Sequence, residues 1–214
     1  MNTRRQTVAD HIIANLDQAV RTVFGRPIPT ERENPGGSVA ENRLSDRERL
    51  ESARLMRVNH AGEVAAQALY QGQALTAKLP GVRDRMERAA LEENDHLLWC
   101  EQRLDELGSH TSYLNPLWHA GSLLIGACAG LAGDKWSLGF VAETEHQVVA
   151  HLQDHLSRLP ENDHKSRAIL KQMVKDEGRH ATVAVQAGGA NLPAPVKTAM
   201  ALTSSIMTRA AYRV

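Results

Sequence analysis

The sequence predicts an all-α protein, and three observations carry that prediction. Ala, Leu, Glu and Gln are plentiful while aromatic residues make up only 4% of the 214, a composition suited to helices rather than sheets. Apolar residues recur at three- and four-residue intervals through long segments punctuated by Pro and Gly. One pattern also occurs twice: a lone Glu, followed about thirty residues later by Glu-x-x-His. Its first copy is Glu63 with Glu93 and His96; its second is Glu145 with Glu177 and His180, at Glu-to-Glu intervals of 30 and 32 residues. Four carboxylates and two imidazoles in two equivalent half-sets form the ligand set of a four-helix bundle holding two metal ions. The expected fold is therefore a ferritin-like four-helix bundle with a dinuclear metal centre, plus additional apolar helices in the crossover and at the C-terminus.

Each element has its own signals. Residues 1–25 are expected as one amphipathic helix carrying Ile12, Ile13, Leu16, Val20, Val23 and Phe24. Residues 26–44 contain Pro27, Pro29, Pro35, Gly36 and Gly37 and read as a linker, so 1–44 stands apart from a main domain over 45–214. Ser45-Asp46-Arg47-Glu48 is a capping box that opens the first bundle helix, expected to run to about Lys78 before Pro80-Gly81. The second runs from about Val82 to Leu107 and stops at Gly108. A crossover spans residues 115–140, with an apolar run from Leu117 to Ala132 broken by Gly121, Gly126 and Gly130. The third bundle helix follows and ends at Leu159-Pro160; the fourth runs from near Asp163 to Gly188-Gly189. The last segment, Pro195 to Val214, mixes Val196, Met200, Ile206, Met207 and Ala210 with Lys197, Arg209 and Arg213 at helical spacing.

Helical phase tests the six ligand candidates, because residues at i±3, i±4 and i±7 share a face. Glu177 and His180 share theirs with Leu170, Met173, Val174, Ala181 and Ala184. Glu93 and His96 share theirs with Met86, Ala89, Ala90, Leu97 and Cys100. Glu145 falls among Val141, Ala142, Val148, Val149 and Leu152; the face of Glu63 is more polar, with Asn59, His60, Gln67 and Tyr70. Each carboxylate thus lies in a stripe expected to face the core. Four buried carboxylates without cations would be prohibitive at neutral pH, and two divalent ions balance them; mixed O/N donors suit iron or manganese. Glu92 and Asp176 lie about 100° off these stripes, which assigns them to Lys or Arg partners or to hydrogen bonds from the ligand imidazoles. Glu143 is expected at the surface, and His146 as a surface or hydrogen-bonded histidine without a role at the site. His60 shares the face of Glu63, and His151 lies within two turns of Glu145; both are candidates for a role beside the metals or toward substrate.

The formal net charge is zero, which gives no sign of a general nucleic-acid binder. Cys100 and Cys128 form no CxxC, which suits a reducing compartment and argues against a structural zinc or rubredoxin-type iron site. Arg4 and Arg5 are followed by Asp10, His11 and Asp17 rather than by a signal-peptide core, and the segment is too acidic for a mitochondrial presequence. The expectation is a bacterial protein of cytoplasmic origin. No stretch reaches the roughly 20 apolar residues that span a bilayer.

The run Arg57-Val58-Asn59-His60-Ala61-Gly62-Glu63 narrows the field. With Glu93-x-x-His96, Val141-Ala142-x-x-Glu145, His151 and Asp176-Glu177-x-x-His180, it resembles the demethoxyubiquinone hydroxylase family over roughly residues 45–214. The resemblance implies that Glu63, Glu93, His96, Glu145, Glu177 and His180 bind two iron ions per chain, and that His151 matches a histidine close to the site. It further implies O2-dependent hydroxylation of a polyprenylated methoxy-benzoquinol ring in ubiquinone biosynthesis. Electrons would come from NADH or another external reductant, with the quinone as relay. No G-x-G-x-x-G is present, so this chain shows no dinucleotide fingerprint of its own.

A polyprenyl tail sits in a bilayer, which accounts for the surplus apolar surface of Leu117–Ala132 and Pro195–Val214 if these segments dock on the membrane. The expected location is peripheral, on the cytoplasmic face of the bacterial inner membrane, as a homo-oligomer or part of a quinone-biosynthesis complex and without nucleic acid. The competing readings are another ferritin-like di-iron or di-manganese oxidase and an iron-storage protein.

Overall fold

The computed structural model describes residues 8–25, 28, 30 and 32–214, without the side chains of 8–12 and 14–16. Residues 1–7 of the expected first helix, the side chains of Ile12 and Leu16, and Pro27 and Pro29 of the expected linker lie outside the described residues. Helices, and no strands, form among the described residues: α1 (Val8–Phe24), α2 (Asp46–Thr76), α3 (Pro80–Glu106), α4 (Asn115–Leu131), α5 (Asp134–Arg158), α6 (His164–Gln186) and α7 (Ala194–Ala211).

The bundle is α2, α3, α5 and α6, with α2 paired to α3 and α5 to α6. Local chemistry sets their ends. Ser45 and Glu48 form the capping box in both directions: Ser45 N–H donates to the Glu48 carboxylate at 2.8 Å, and Glu48 N–H to Ser45 Oγ at 3.4 Å. Asp163 caps α6 by accepting from Ser166 N–H at 3.0 Å. Pro80 does not so much stop α2, which ends at Thr76, as begin α3 at a position where a missing N–H costs nothing.

The crossover departs from expectation. Gly121, Gly126 and Gly130 do not interrupt the apolar run; α4 is continuous through all three. Gly126 and Gly130 are there for close packing, whereas a Cβ on Gly121 would meet nothing. A Cβ on Gly126 would land on the Leu69 carbonyl, and one on Gly72 of α2 would land on the Leu123 carbonyl, so the α2 and α4 backbones meet without side chains between them. The chain breaks instead at Gly133, whose φ of 110° suits glycine, and α5 starts at Asp134 rather than beyond Phe140. With its small-residue side spent on α2, α4 turns Leu117, Leu124 and Leu131 outward, all well exposed.

Two apolar clusters fill the bundle. One holds Leu55, Met56, Trp99, Leu104, Leu152, Leu170 and Met173; the other holds Leu69, Tyr70, Met86, Ala90, Leu138, Val141 and Ala184. On every bundle helix the expected ligand positions fall between the residues of the first cluster and those of the second. At the far end of the first cluster, buried Arg103 donates to Asp163 at 2.9 Å, Ser166 at 3.0 Å, Glu106 at 2.8 Å and Glu41 at 2.6 Å, tying α3 to the start of α6. Arg103→Met would strand the buried Asp163 carboxylate and is expected to cost about 3–5 kcal/mol in urea unfolding; a loss below about 1 kcal/mol would show that Asp163 finds water instead.

Candidate metal centre and the cavity beside it

Each bundle helix delivers one carboxylate to the same layer: Glu63 from α2, Glu93 from α3, Glu145 from α5 and Glu177 from α6, all buried. The i, i+3 spacing then turns His96 and His180 to the same faces as Glu93 and Glu177. His96 Nδ1 lies 2.8 Å from Glu177, 3.2 Å from Glu93 and 3.4 Å from Glu63. His180 Nδ1 lies 3.1 Å from Glu177, 3.7 Å from Glu93 and 3.9 Å from Glu145.

The donors fall into two overlapping groups. Glu63, Glu93, His96 and Glu177 form one; Glu93, Glu145, Glu177 and His180 form the other, with the donor atoms of each within 4.8 Å of one another. Glu93 and Glu177 belong to both, the arrangement that would let two carboxylates bridge a pair of cations. All six residues singled out from the sequence are brought together here. The set has room for cations: Glu93 Oε1 and Glu145 Oε1 are buried with no hydrogen-bond partner among the described residues, and hard oxygens with imidazole nitrogens suit iron or manganese.

Without cations, protons take up the charge. Burial pushes the Glu63 and Glu145 carboxyls well above the ordinary carboxylate range. Burial also opposes charge on Glu177, but the two imidazoles outweigh it and hold Glu177 low. Burial disfavours the imidazolium of His96 and His180, yet surrounding carboxylates raise both, His180 to about 11. His180 keeps its proton at pH 7, and a metal must displace it together with any protons that the raised groups around it hold. Anaerobic addition of Fe(II) to the apo-protein in dilute buffer at pH 7 is therefore expected to release several protons per chain. Apparent affinity should rise with pH across the neutral range; a pH-independent affinity would contradict these protonation states.

Behind each imidazole stands a second carboxylate. His96 Nε2 faces Asp176 at 3.2 Å and His180 Nε2 faces Glu92 at 2.6 Å. The acid preceding each Glu-x-x-His thus reaches the histidine of the other motif, an arrangement that orients a metal-ligating ring. Both carboxylates also meet arginines: Glu92 with Arg179 at 3.1 Å, and Asp176 with Arg32 at 2.5 Å.

Beside Glu63 opens a largely apolar cavity of about 590 Å³ walled by four helices. Its sides include Asn59 and Ala66 of α2, Trp118 and Ile125 of α4, Phe140 and His151 of α5, and Met200 and Met207 of α7. No described helix is long and apolar enough to cross a membrane.

Residues 51–211 match the model of the family described as ubiquinone biosynthesis protein COQ7. The chain belongs to the COQ7 family. Among curated proteins it is 62% identical over 212 residues to the 3-demethoxyubiquinol 3-hydroxylase of Nitrosococcus oceani, covering 99% of each chain. It is 58% identical to the protein of the same name in Nitrosomonas europaea, over 95% of this chain and 97% of that one. The corresponding protein of Stutzerimonas stutzeri is 55% identical, over 99% and 98%.

The remaining histidines of this COQ7 chain separate by position. His60 is buried against Asn115, 3.4 Å away, where burial lowers its pKa to about 4; it belongs to neither donor group. His151 lines the cavity, its buried Nε2 has no hydrogen-bond partner among the described residues, and its ring packs 3.9 Å from that of His155. His146 is exposed. Glu143, expected at the surface, is partly covered, because α7 lies over it and Lys197 pairs with it at 2.8 Å. Sequence reasoning missed His155, which meets Asn59 Oδ1 at 2.7 Å, and Arg32; both contacts join distant segments and leave no local periodicity to read.

Proposed function

We propose that this chain hydroxylates the ring of a polyprenylated demethoxyubiquinol with O2, at a di-iron centre held by Glu63, Glu93, His96, Glu145, Glu177 and His180. The observation that carries the reading is the adjacency of the doubled carboxylate–imidazole set to an apolar cavity whose wall includes Glu63. An iron pair supplies, when bound, the two electrons that reduce O2 while one oxygen atom enters the ring. The ring C–H becomes C–OH, the second oxygen leaves as water, and two electrons and one proton from an external reductant such as NADH, with a second proton from solvent, close the balance.

The chain's own residues position and protect this chemistry. Trp118, Ile125, Phe140 and Met200 exclude water from the cavity and give an isoprenoid chain an apolar wall. His151, whose side chain lines the cavity, is the candidate to meet a ring oxygen of the quinol. Cavity walls from α4 and α7 continue into exposed Leu124, Ile125, Leu202 and Ile206, which supports docking on a lipid surface from which the tail enters. The corresponding location is peripheral, at the cytoplasmic face of the inner membrane, with residues 45–214 as the hydroxylase domain.

The quinone profile of a bacterial cell lacking this gene tests the function. Demethoxyubiquinone should accumulate and ubiquinone return on complementation. Normal ubiquinone in the deletion strain would contradict the reading, since a storage protein or an unrelated oxidase would leave quinones unchanged.

A further inference from the structure

The two Glu-x-x-His motifs differ at a position that matters. In Glu177-Gly178-Arg179-His180 the third residue is Arg179, whose guanidinium meets Glu92, the carboxylate that holds His180 Nε2. In Glu93-Asn94-Asp95-His96 the third residue is Asp95, an acid where the other motif has a base. The motif on α3 therefore offers no arginine to Asp176, the carboxylate that holds His96 Nε2, and Arg179 approaches Asp176 only at 4.0 Å.

The segment ahead of α2 supplies the missing cation. Arg32 Nη2 donates to Asp176 at 2.5 Å, joining residues 144 positions apart in sequence. Asp95 serves as the anchor that brings Arg32 there: it accepts from Thr30 N–H at 2.7 Å and from the Thr30 hydroxyl, and lies 3.9 Å from Arg32 Nε. The guanidinium also sits 4.9 Å over the Trp99 ring, which packs 5.3 Å from the His96 ring. The result is lopsided. The His96 side chain is fully buried, whereas that of His180 is 10% exposed at a cleft lined by Arg85, Arg88 and Arg179.

We infer that Arg32 is a positioning residue of the metal centre: through Asp176 it fixes the His96 ring, and the N-terminal segment thereby completes the half of the centre formed by Glu63 and His96. This rests on the two-metal reading above. It also gives the segment ahead of α2 a task at the site, although the family match begins only at residue 51.

The test is anaerobic titration of the full-length protein with ⁵⁷Fe(II), followed by Mössbauer spectroscopy of wild type, Arg32→Gln, Arg32→Lys, His96→Ala and His180→Ala. Arg32→Gln is expected to weaken one of the two irons about 10- to 100-fold. The spectrum of its retained iron should match that of His96→Ala rather than His180→Ala, and Arg32→Lys, which keeps the charge, should recover part of the affinity. Asn34→Ala, which removes this segment's contact with Gln102 and the local bond from Gly36 N–H, should bind both irons as wild type does. If Arg32→Gln fails to fold, Asp95→Asn, which loosens the Thr30 anchor, should weaken the same iron. Two irons bound with wild-type affinity in Arg32→Gln, or equal loss of both, would overturn the inference, as would iron loss in Asn34→Ala matching that in Arg32→Gln. Fewer than two irons in wild type would instead sink the two-metal reading itself.

Discussion

Glu177→Ala is expected to empty the metal centre, while His180→Ala keeps one iron. Glu177 belongs to both donor groups and approaches both imidazoles, at 2.8 and 3.1 Å, whereas His180 belongs to one group alone. Removing a shared carboxylate takes a ligand and a negative charge from both positions at once. The variant should stay folded, because without Glu177 the His96 and His180 rings that it holds charged can give up a proton and stay buried as neutral imidazoles. Elemental analysis after anaerobic iron loading should give about two irons in wild type, one in His180→Ala and none in Glu177→Ala, with hydroxylation abolished in the last. Two irons retained in Glu177→Ala would refute the bridging arrangement.

The second large effect concerns lipid. Leu124 is 67% exposed on the outer side of α4, and Met200 of α7 lines the cavity; neither belongs to a donor group. Leu124→Asp should weaken liposome association about 10- to 100-fold, the equivalent of about 1.5–3 kcal/mol for one buried apolar side chain. Met200→Asp should cut turnover of a long-tailed quinol far more than that of a short-tailed analogue. Both should still bind two irons. If either loses iron or unfolds, its segment is ordinary core. If both bind liposomes and turn over long-tailed substrate as wild type does, the membrane contact lies elsewhere.

Much of this architecture could be read before the structure, for reasons that differ by element. The ends of α2 and α6 were legible because their signals are local: Ser45 with Glu48, and Asp163 with Ser166. The layer that gathers the six residues followed from phase, since a helix leaves little freedom to residues three apart. The course of α4 was not legible. Its glycines resemble breaks, and only the facing turns of α2 show that Gly126 and Gly130 exist for close approach. The pairing of Asp176 with Arg32 was equally hidden, because an ion pair across 144 residues has no periodic signature. The covering of Glu143 by α7 went unread for the same reason: it depends on where a neighbouring helix lies, not on the phase of its own.

The central claim is that the paired carboxylates and imidazoles serve oxygen insertion into a quinol ring. It is tested most directly by supplying the iron-loaded, reduced protein with a demethoxyquinol under ¹⁸O2 and weighing the product. One ¹⁸O atom in the new ring hydroxyl, in wild type and not in Glu177→Ala, is the predicted result. A product whose hydroxyl oxygen comes from water, or no hydroxylated product from protein carrying two irons, would contradict it.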